Sequence, residues 1–155
     1  MPSDLQFRSA IDLGAMVRTS ELSPVDLVTA TLDAASGAQP TINAFVTICA
    51  DEALSQAREA EAAVQQGSPL GPLHGIPFIV KDLTHTAGVR TTFGSRTREH
   101  WVPTEDAVAV ARLKAAGAIL VGKTTTPEFG HKPFTDSPLF GTTVNPWNHD
   151  RTCGG

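Results

Sequence analysis

A short apolar run that stops at a lysine restricts the fold of this chain more than any other feature. Residues 76–80 are almost continuously apolar, and Lys81 and Asp82 follow at once. Residues 67–75 are dense in glycine and proline, which predicts turns before the run. An apolar run without alternation is typical of a strand buried on both faces of a sheet. Pro77 is compatible with that strand because it lies near the start.

A second buried strand is predicted at residues 118–121. A helix that starts at Thr104 or Glu105 and closes at Gly117 precedes it, and a long polar connection fills residues 83–103. Strand, crossover helix and strand are typical of an α/β fold with a parallel strand pair. From Thr124 onwards the proline-rich sequence predicts mostly loop, with one helical turn over residues 127–130.

Residues 1–66 are predicted to be a helical prelude to this sheet, which occupies residues 67–155. After a short first helix, Ser23 caps a second helix that begins with Pro24. Gly37 is predicted to end it, because Pro40 opposes continuation. Residues 44–48 are predicted to be extended, and residues 51–66 to form a third helix.

Length, composition and charge exclude several classes of protein. The chain has 155 residues, 41% of them hydrophobic, and a formal net charge of -4. These values predict one globular domain and argue against a nucleic-acid partner. No apolar run is long enough for a membrane span, and Met1 to Phe7 do not resemble a signal peptide. Two cysteines suit a reducing compartment, so we predict a cytoplasmic protein.

The histidines give no metal-site pattern. None of the five forms an i, i+4 pair with another, and only Cys153, four residues after His149, offers a neighbouring ligand. A zinc site needs a second cluster, which the sequence does not supply. We therefore predict neither a metal nor a cofactor.

Residues 117–124 match the phosphate-binding pattern G-x-x-x-x-G-K-[ST] letter for letter. A phosphate loop needs free backbone N–H groups between a strand and a helix. Here the four middle residues look like a strand and the element before them is a helix. The surrounding sequence therefore argues against a nucleotide site, and nucleotide binding is kept only as an alternative function.

Lys81 is the candidate catalytic residue. Open α/β sheets place their sites at the carboxyl ends of strands, where Lys81 lies. Partial desolvation there favours the neutral amine, which acts as a base. The alternative is a surface lysine paired with Asp82, and the pattern of residues alone leaves both interpretations open.

Residues 71–82, Gly-Pro-Leu-His-Gly-Ile-Pro-Phe-Ile-Val-Lys-Asp, closely resemble the lysine segment of the amidase signature family. The likeness continues without a gap over nearly the whole chain. The further similar segments are Ser23-Pro24, Asn43-Ala44-Phe45, Ala87-Gly88-Val89, Thr91-Thr92, Gly94-Ser95, Asp106-Ala107, residues 111–118, Gly122-Lys123-Thr124, Pro127-Glu128-Phe129, and the stretch from Phe140-Gly141 through Asn145-Pro146-Trp147.

This resemblance implies the first strands and helices of the mixed, helix-flanked sheet of the amidase signature fold. It implies a hydrolase of small-molecule amides with a Ser–cisSer–Lys mechanism, in which Lys81 is the base. Gly154 and Gly155 match the start of the family's Gly-Gly-Ser-Ser-Gly-Gly loop, whose backbone N–H groups form the oxyanion hole. In the family's pattern the bridging serine comes directly after Gly155, and the nucleophilic serine lies further along the chain.

The sequence is therefore interpreted as the N-terminal part of one amidase domain, truncated before both serines and inactive alone. The intact parent would bind an amide substrate, with no membrane and no direct nucleic-acid contact. Strand edges and apolar surface of an incomplete sheet predict self-association. The same features fit a second alternative, a non-catalytic interaction module.

Overall fold

A computed structural model describes Leu5 and residues 7–155. Four helices and seven strands follow one another along the described chain, with short 3₁₀ turns at Arg96–Arg98 and Glu128–Gly130. The elements are α1 (Ala10–Arg18), α2 (Pro24–Ile42), β1 (Phe45–Ile48), α3 (Ala50–Gln65), β2 (Pro77–Lys81), α4 (Val108–Ala115), β3 (Ile119–Thr124), β4 (Asp136–Ser137), β5 (Gly141–Thr142), β6 (Val144–Asn145) and β7 (Asn148–Thr152).

The main sheet has three strands in the order β1-β3-β2. Strand β1 runs antiparallel to β3, with Phe45 opposite Thr124. Strand β2 runs parallel to β3, because backbone bonds join their starts and their ends. The Ile119 N–H donates to the Ile76 carbonyl at 2.8 Å, and the Asp82 N–H donates to the Thr124 carbonyl at 2.9 Å. The predicted α/β class with a parallel pair in a mixed sheet is thus confirmed.

The chain divides into two compact units, each built from three separate segments. The first unit comprises residues 1–34, 49–78 and 111–121. Its core is apolar and combines side chains from α1, α2 and the segment entering β2. The buried members are Leu13, Val17, Leu22, Leu27 and Ile76. Burial of this apolar surface is the main stabilising term for the unit.

The second unit comprises residues 35–48, 79–110 and 122–155. Its most deeply buried side chains are mainly polar, and every candidate site residue lies in it. The fully buried polar members are Asp82, Thr86, Thr91, Thr92, Ser95 and Lys123. A polar interior needs hydrogen bonds for its buried groups, so side-chain bonding determines the local structure here.

The helix starts were predicted better than the helix ends. Ser23 caps α2 as expected, because its hydroxyl accepts hydrogen bonds from the N–H groups of Val25 and Asp26. The predicted end at Gly37 is wrong, since α2 continues to Ile42 with Pro40 inside it. Proline only removes one N–H in the last turn, and Asn43 ends the helix with a left-handed φ of 55°.

Two further predictions need correction. Helix α4 starts at Val108, not at residue 104 or 105, because loop bonds hold the preceding residues: the Ala107 N–H donates to the His85 carbonyl. Strand β2 is not buried on both faces, since 52% of Ile79 is exposed. The stretch after Thr124 is mostly loop with a helical turn at Glu128–Gly130, as predicted, and it also contains the short antiparallel ladders β4–β5 and β6–β7, which the sequence did not predict.

Within the described part of the chain, no helix has the length and apolar character that crossing a bilayer requires. The interpretation of the first residues, which excluded a signal peptide, falls largely outside the described residues.

Candidate active site

Lys81 is the last residue of β2, where the chain leaves the sheet. The Thr84 N–H donates to the Lys81 carbonyl at 3.0 Å and closes a tight turn directly after the strand. The half-buried side chain of Lys81 lines an open cleft of about 290 Å³. The lysine therefore lies at the carboxyl end of a parallel strand, where α/β folds place their sites.

Gly154 and Gly155 line the same cleft as Lys81. The full lining is Ile42, Ala44, Lys81, Thr124, Thr125, Thr135, Thr143, Val144, Pro146, Cys153, Gly154 and Gly155. The three residues singled out in the sequence are thus brought together, although the glycines are far from the lysine in the chain. The cleft combines one cationic side chain, several hydroxyl groups and an apolar wall.

Hydrogen bonds and close packing hold the glycine pair. The Thr135 hydroxyl donates to the Gly154 carbonyl at 2.5 Å, and the Gly154 N–H donates to the Thr152 hydroxyl at 3.1 Å. Gly154 has a φ of 94°, which side-chain-bearing residues rarely adopt. A Cβ on Gly155 would lie 2.3 Å from the Lys132 carbonyl oxygen. Both positions therefore require glycine.

Two threonines on the cleft wall form an ordered chain of hydroxyl groups. The Thr143 hydroxyl donates to the Asn43 carbonyl at 2.7 Å. A hydroxyl has one hydrogen, so in the 2.6 Å contact between the two hydroxyls Thr125 donates to Thr143. The Thr125 oxygen keeps its lone pairs, so it presents a hydrogen-bond acceptor in the cleft. The resemblance covered Thr143, within residues 140–147, but gave it no role, and no similar segment included Thr125.

Asn43 connects the end of α2 to the β5 segment. Its amide nitrogen donates to the carbonyls of Phe140 and Thr142, at 2.7 and 3.1 Å. The Gln39 amide nitrogen donates to the Asn43 side-chain oxygen at 3.2 Å. These bonds fix the backbone that carries Thr143 into the cleft. The resemblance had marked Asn43 within Asn43-Ala44-Phe45 without giving it a role, and the preference of asparagine for left-handed helix ends is a second signal.

Asp82 and Lys123 form a buried pair, and both side chains are 0% exposed. Their charged atoms, Oδ1 and Nζ, are 4.0 Å apart. Asp82 Oδ2 accepts hydrogen bonds from the Thr92 N–H at 3.0 Å and the Thr92 hydroxyl at 2.5 Å. Burial raises the pKa of Asp82, while the Thr92 hydrogen bonds and the charges of Lys123 and Arg90 oppose that rise.

This pair corrects two interpretations of the sequence. The side chain of Asp82 is directed towards Thr92 and Lys123, so the alternative of a surface Lys81–Asp82 pair is wrong. The phosphate-loop alternative over Gly117–Thr124 is also wrong, because Ile119–Thr124 is strand β3 and Lys123 is fully buried. Gly122 is needed for packing instead, since a Cβ there would lie 2.4 Å from the Thr47 carbonyl oxygen.

Among the described residues, no three or more histidine, cysteine, aspartate or glutamate side chains come together as a metal site. His149 and Cys153 therefore gain no further ligand from the described part of the chain.

Known proteins resemble this chain along almost its whole length. The family Amidase matches residues 26–155. A glutamyl-tRNA(Gln) amidotransferase subunit from Acidothermus cellulolyticus is 40% identical over 153 residues, which cover 99% of this chain and 30% of that protein. An acylamidase of Rhodococcus erythropolis is 39% identical over 152 residues, which cover 98% of this chain and 32% of that protein.

Solved structures agree with these relatives. The crystal structure of a bacterial aryl acylamidase matches with a TM-score of 0.92 and 31% identity, over 96% of this chain and 31% of that one. That enzyme is a member of the amidase signature family, so fold and sequence define the same class. The chain belongs to the Amidase family. It spans about a third of the length of the curated relatives it matches.

Proposed function

We propose that Lys81 is the general base of an amide hydrolase, which cleaves carboxylic amides to an acid and an amine or ammonia. The observation that carries the proposal is the shared cleft of Lys81, Gly154 and Gly155. In the amidase signature pattern, the matching lysine is the base and the matching glycines begin the loop that leads into the bridging serine. The relatives named acylamidase and aryl acylamidase support an amide substrate.

In the proposed reaction, the hydroxyl oxygen of the nucleophilic serine bonds to the carbonyl carbon of the amide. Its proton passes through the bridging serine to the neutral amine of Lys81. Backbone N–H groups of the glycine-rich loop stabilise the oxyanion. The C–N bond then breaks, the leaving amine takes the proton, and water hydrolyses the acyl-serine by the same proton route.

The 155 residues contain Lys81 but neither the bridging serine, which follows Gly155 in the family's pattern, nor the nucleophilic serine further along. We therefore expect a polypeptide of these residues alone to hydrolyse no amide, because nucleophile and oxyanion donors supply most of the rate. The proposed chemistry uses no cofactor, and the segment itself contacts a small-molecule amide and no nucleic acid. The low cysteine content supports a cytoplasmic location.

The test is a hybrid enzyme in which residues 1–155 replace the matching segment of the Rhodococcus erythropolis acylamidase. Lys81→Ala should lower kcat by at least about 10²-fold, because a positioned base contributes about 10²- to 10⁴-fold. Lys81→Arg should not restore activity, since a guanidinium stays protonated and accepts no proton. Circular dichroism shows whether each variant retains the fold.

Lys114→Ala is the matched control, because that lysine lies on α4 outside the Lys81 cleft. It should keep the activity of the hybrid. A folded Lys81→Ala hybrid with near-normal kcat would disprove the assignment of the base. Amide hydrolysis by the purified 155-residue polypeptide, abolished by Lys81→Ala, would disprove its expected inactivity.

A further inference from the structure

The loop that follows Lys81 wraps around a single buried ammonium group. Lys123 Nζ donates to the Thr84 carbonyl at 2.6 Å, to the Thr86 hydroxyl at 3.0 Å and to the Thr91 hydroxyl at 2.9 Å. All three acceptors belong to the connection after β2. Three donors on one nitrogen match three acceptors, so the ammonium determines the path of the loop.

Asp82 is the first residue of the same loop, and hydrogen bonds connect it to the sheet. Its N–H donates to the Thr124 carbonyl at 2.9 Å, and its own carbonyl accepts from the Phe93 N–H at 3.1 Å. Its side chain holds Thr92 through two hydrogen bonds. Asp82 Oδ1 accepts no hydrogen bond from the described residues, so the charge of Lys123 at 4.0 Å is its compensation. A buried carboxylate needs such a partner.

Side chains alternate between two faces along β2 and β3, and this alternation places the network on the face opposite to the cleft. Lys81 and Thr124 line the cleft, whereas their chain neighbours Asp82 and Lys123 are fully buried. Successive strand residues point to opposite faces, which explains the division. Each strand end therefore presents one residue to the cleft and one to the buried network.

We infer that Lys123, together with Asp82, is a positioning residue for Lys81: the buried pair holds the loop that fixes the end of β2, and with it the direction of the Lys81 amine. The inference rests on the proposed function, because the direction of Lys81 matters for hydrolysis only if Lys81 takes the proton.

Cys153 allows a direct measurement of where the Lys81 amine lies. Cys153 is exposed and lines the same cleft, whereas the other cysteine, Cys49, is buried. A short amine-to-thiol crosslinker, anchored first at Cys153, should therefore join Cys153 to Lys81 in the 155-residue chain. Peptide mass spectrometry gives the yield of this crosslink.

Lys123→Met should lower the crosslink yield at least about fivefold, because displacements of about 1 Å already change the reaction of held groups strongly. The matched control is Lys114→Met, which removes a lysine of α4 outside the cleft lining and should leave the yield unchanged. A Lys123→Met chain that stays folded and crosslinks like the wild type would overturn the inference.

A double variant separates positioning from stability alone. Asp82→Leu with Lys123→Met removes both charges and leaves no unpaired buried ion, so the chain should fold even where the single variant does not. Positioning by the pair predicts a yield that stays low in this folded double variant. A wild-type yield there would show that the pair only stabilises the fold and would overturn the inference.

A different result, a folded and active Lys81→Ala hybrid, would disprove the proposed function. The crosslink reports the direction of Lys81 whether or not the lysine is a base. The two failures are therefore distinguishable.

Discussion

Replacing Gly122 by alanine probes the closest approach between two strands of the main sheet. A Cβ at this position would lie 2.4 Å from the Thr47 carbonyl oxygen and 3.4 Å from the Ile48 Cα. Both neighbours are backbone atoms of β1, which pairs with β3 at Ile48 and Gly122. The Phe45 ring is the third neighbour, but its movement would not relieve the tightest contact, which is with the Thr47 carbonyl, so the paired strands themselves must separate.

The geometry gives the size of the effect. Relief of the contact needs a shift of about 1 Å, from 2.4 Å to the ordinary contact distance near 3.4 Å. Overpacking alone costs about 1–3 kcal/mol. Stretching the β1–β3 ladder weakens hydrogen bonds of about 1 kcal/mol each. We expect Gly122→Ala to lower the free energy of unfolding by about 3 kcal/mol, or about 6–12 °C in Tm.

Gly37→Ala is the matched control because it makes the same chemical change in open space. Gly37 lies inside α2 and has no atom within 4 Å of an added Cβ. Alanine is favoured over glycine in a helix by about 0.5–1 kcal/mol, so this variant should melt about 2 °C higher. Urea unfolding followed by circular dichroism measures both. Equal stability of the two variants would refute the reasoning about the strand contact.

Three further predictions concern pH, packing and association. Folding raises the pKa of Asp82 above its ordinary value of 3.8, so between these two pKa values the folded chain keeps a proton that the unfolded chain releases. The free energy of unfolding should therefore fall as pH rises from 3.8 towards the folded pKa. Asp82→Asn should abolish that fall in urea unfolding at stepped pH values. Thr143→Val removes the bonds to Thr125 and Asn43 and should cost about 1–3 kcal/mol in the same assay. The 155-residue chain should self-associate in sedimentation velocity, and Ile79→Lys, on the exposed face of β2, should weaken this; a concentration-independent monomer would contradict it.

The elements of the main sheet were predictable because their signals are local. The apolar run before Lys81, the second run at residues 118–121 and the crossover helix between them are each visible in the sequence. Ser23 was also predictable as a helix cap, since capping depends on residues two and three positions away. These signals identified β2, α4, β3 and the start of α2, although the start of α4 was displaced.

The buried network was not predictable, because its partners have no fixed spacing. Lys123 finds its acceptors at Thr84, Thr86 and Thr91, which precede it by more than thirty positions. Threonines in a polar connection usually face solvent, yet Thr91 and Thr92 are fully buried. A buried charge needs hydrogen-bond partners, so the loop that surrounds the Lys123 ammonium has polar residues although they are buried.

The cleft was predictable only in part. The resemblance to the amidase signature family identified Lys81, Gly154 and Gly155, which line it. The hydroxyl chain of Thr125 and Thr143 was missed, because the sequence gave neither residue a role. The two residues are 18 positions apart and come into contact only in the folded chain.

The alternation of Lys81 and Asp82 has a consequence for how this segment can change in evolution. Because side chains on a strand point to opposite faces in turn, the deletion of one residue from β2 would move Asp82, the residue after the strand, into the place of Lys81. A carboxylate would then enter the cleft and a second ammonium would face Lys123. Substitutions in β2 can be accepted singly, but the loss of one residue reverses the charge of the cleft in one step, so lineages that keep the cleft must not shorten the segment between Gly75 and Asp82.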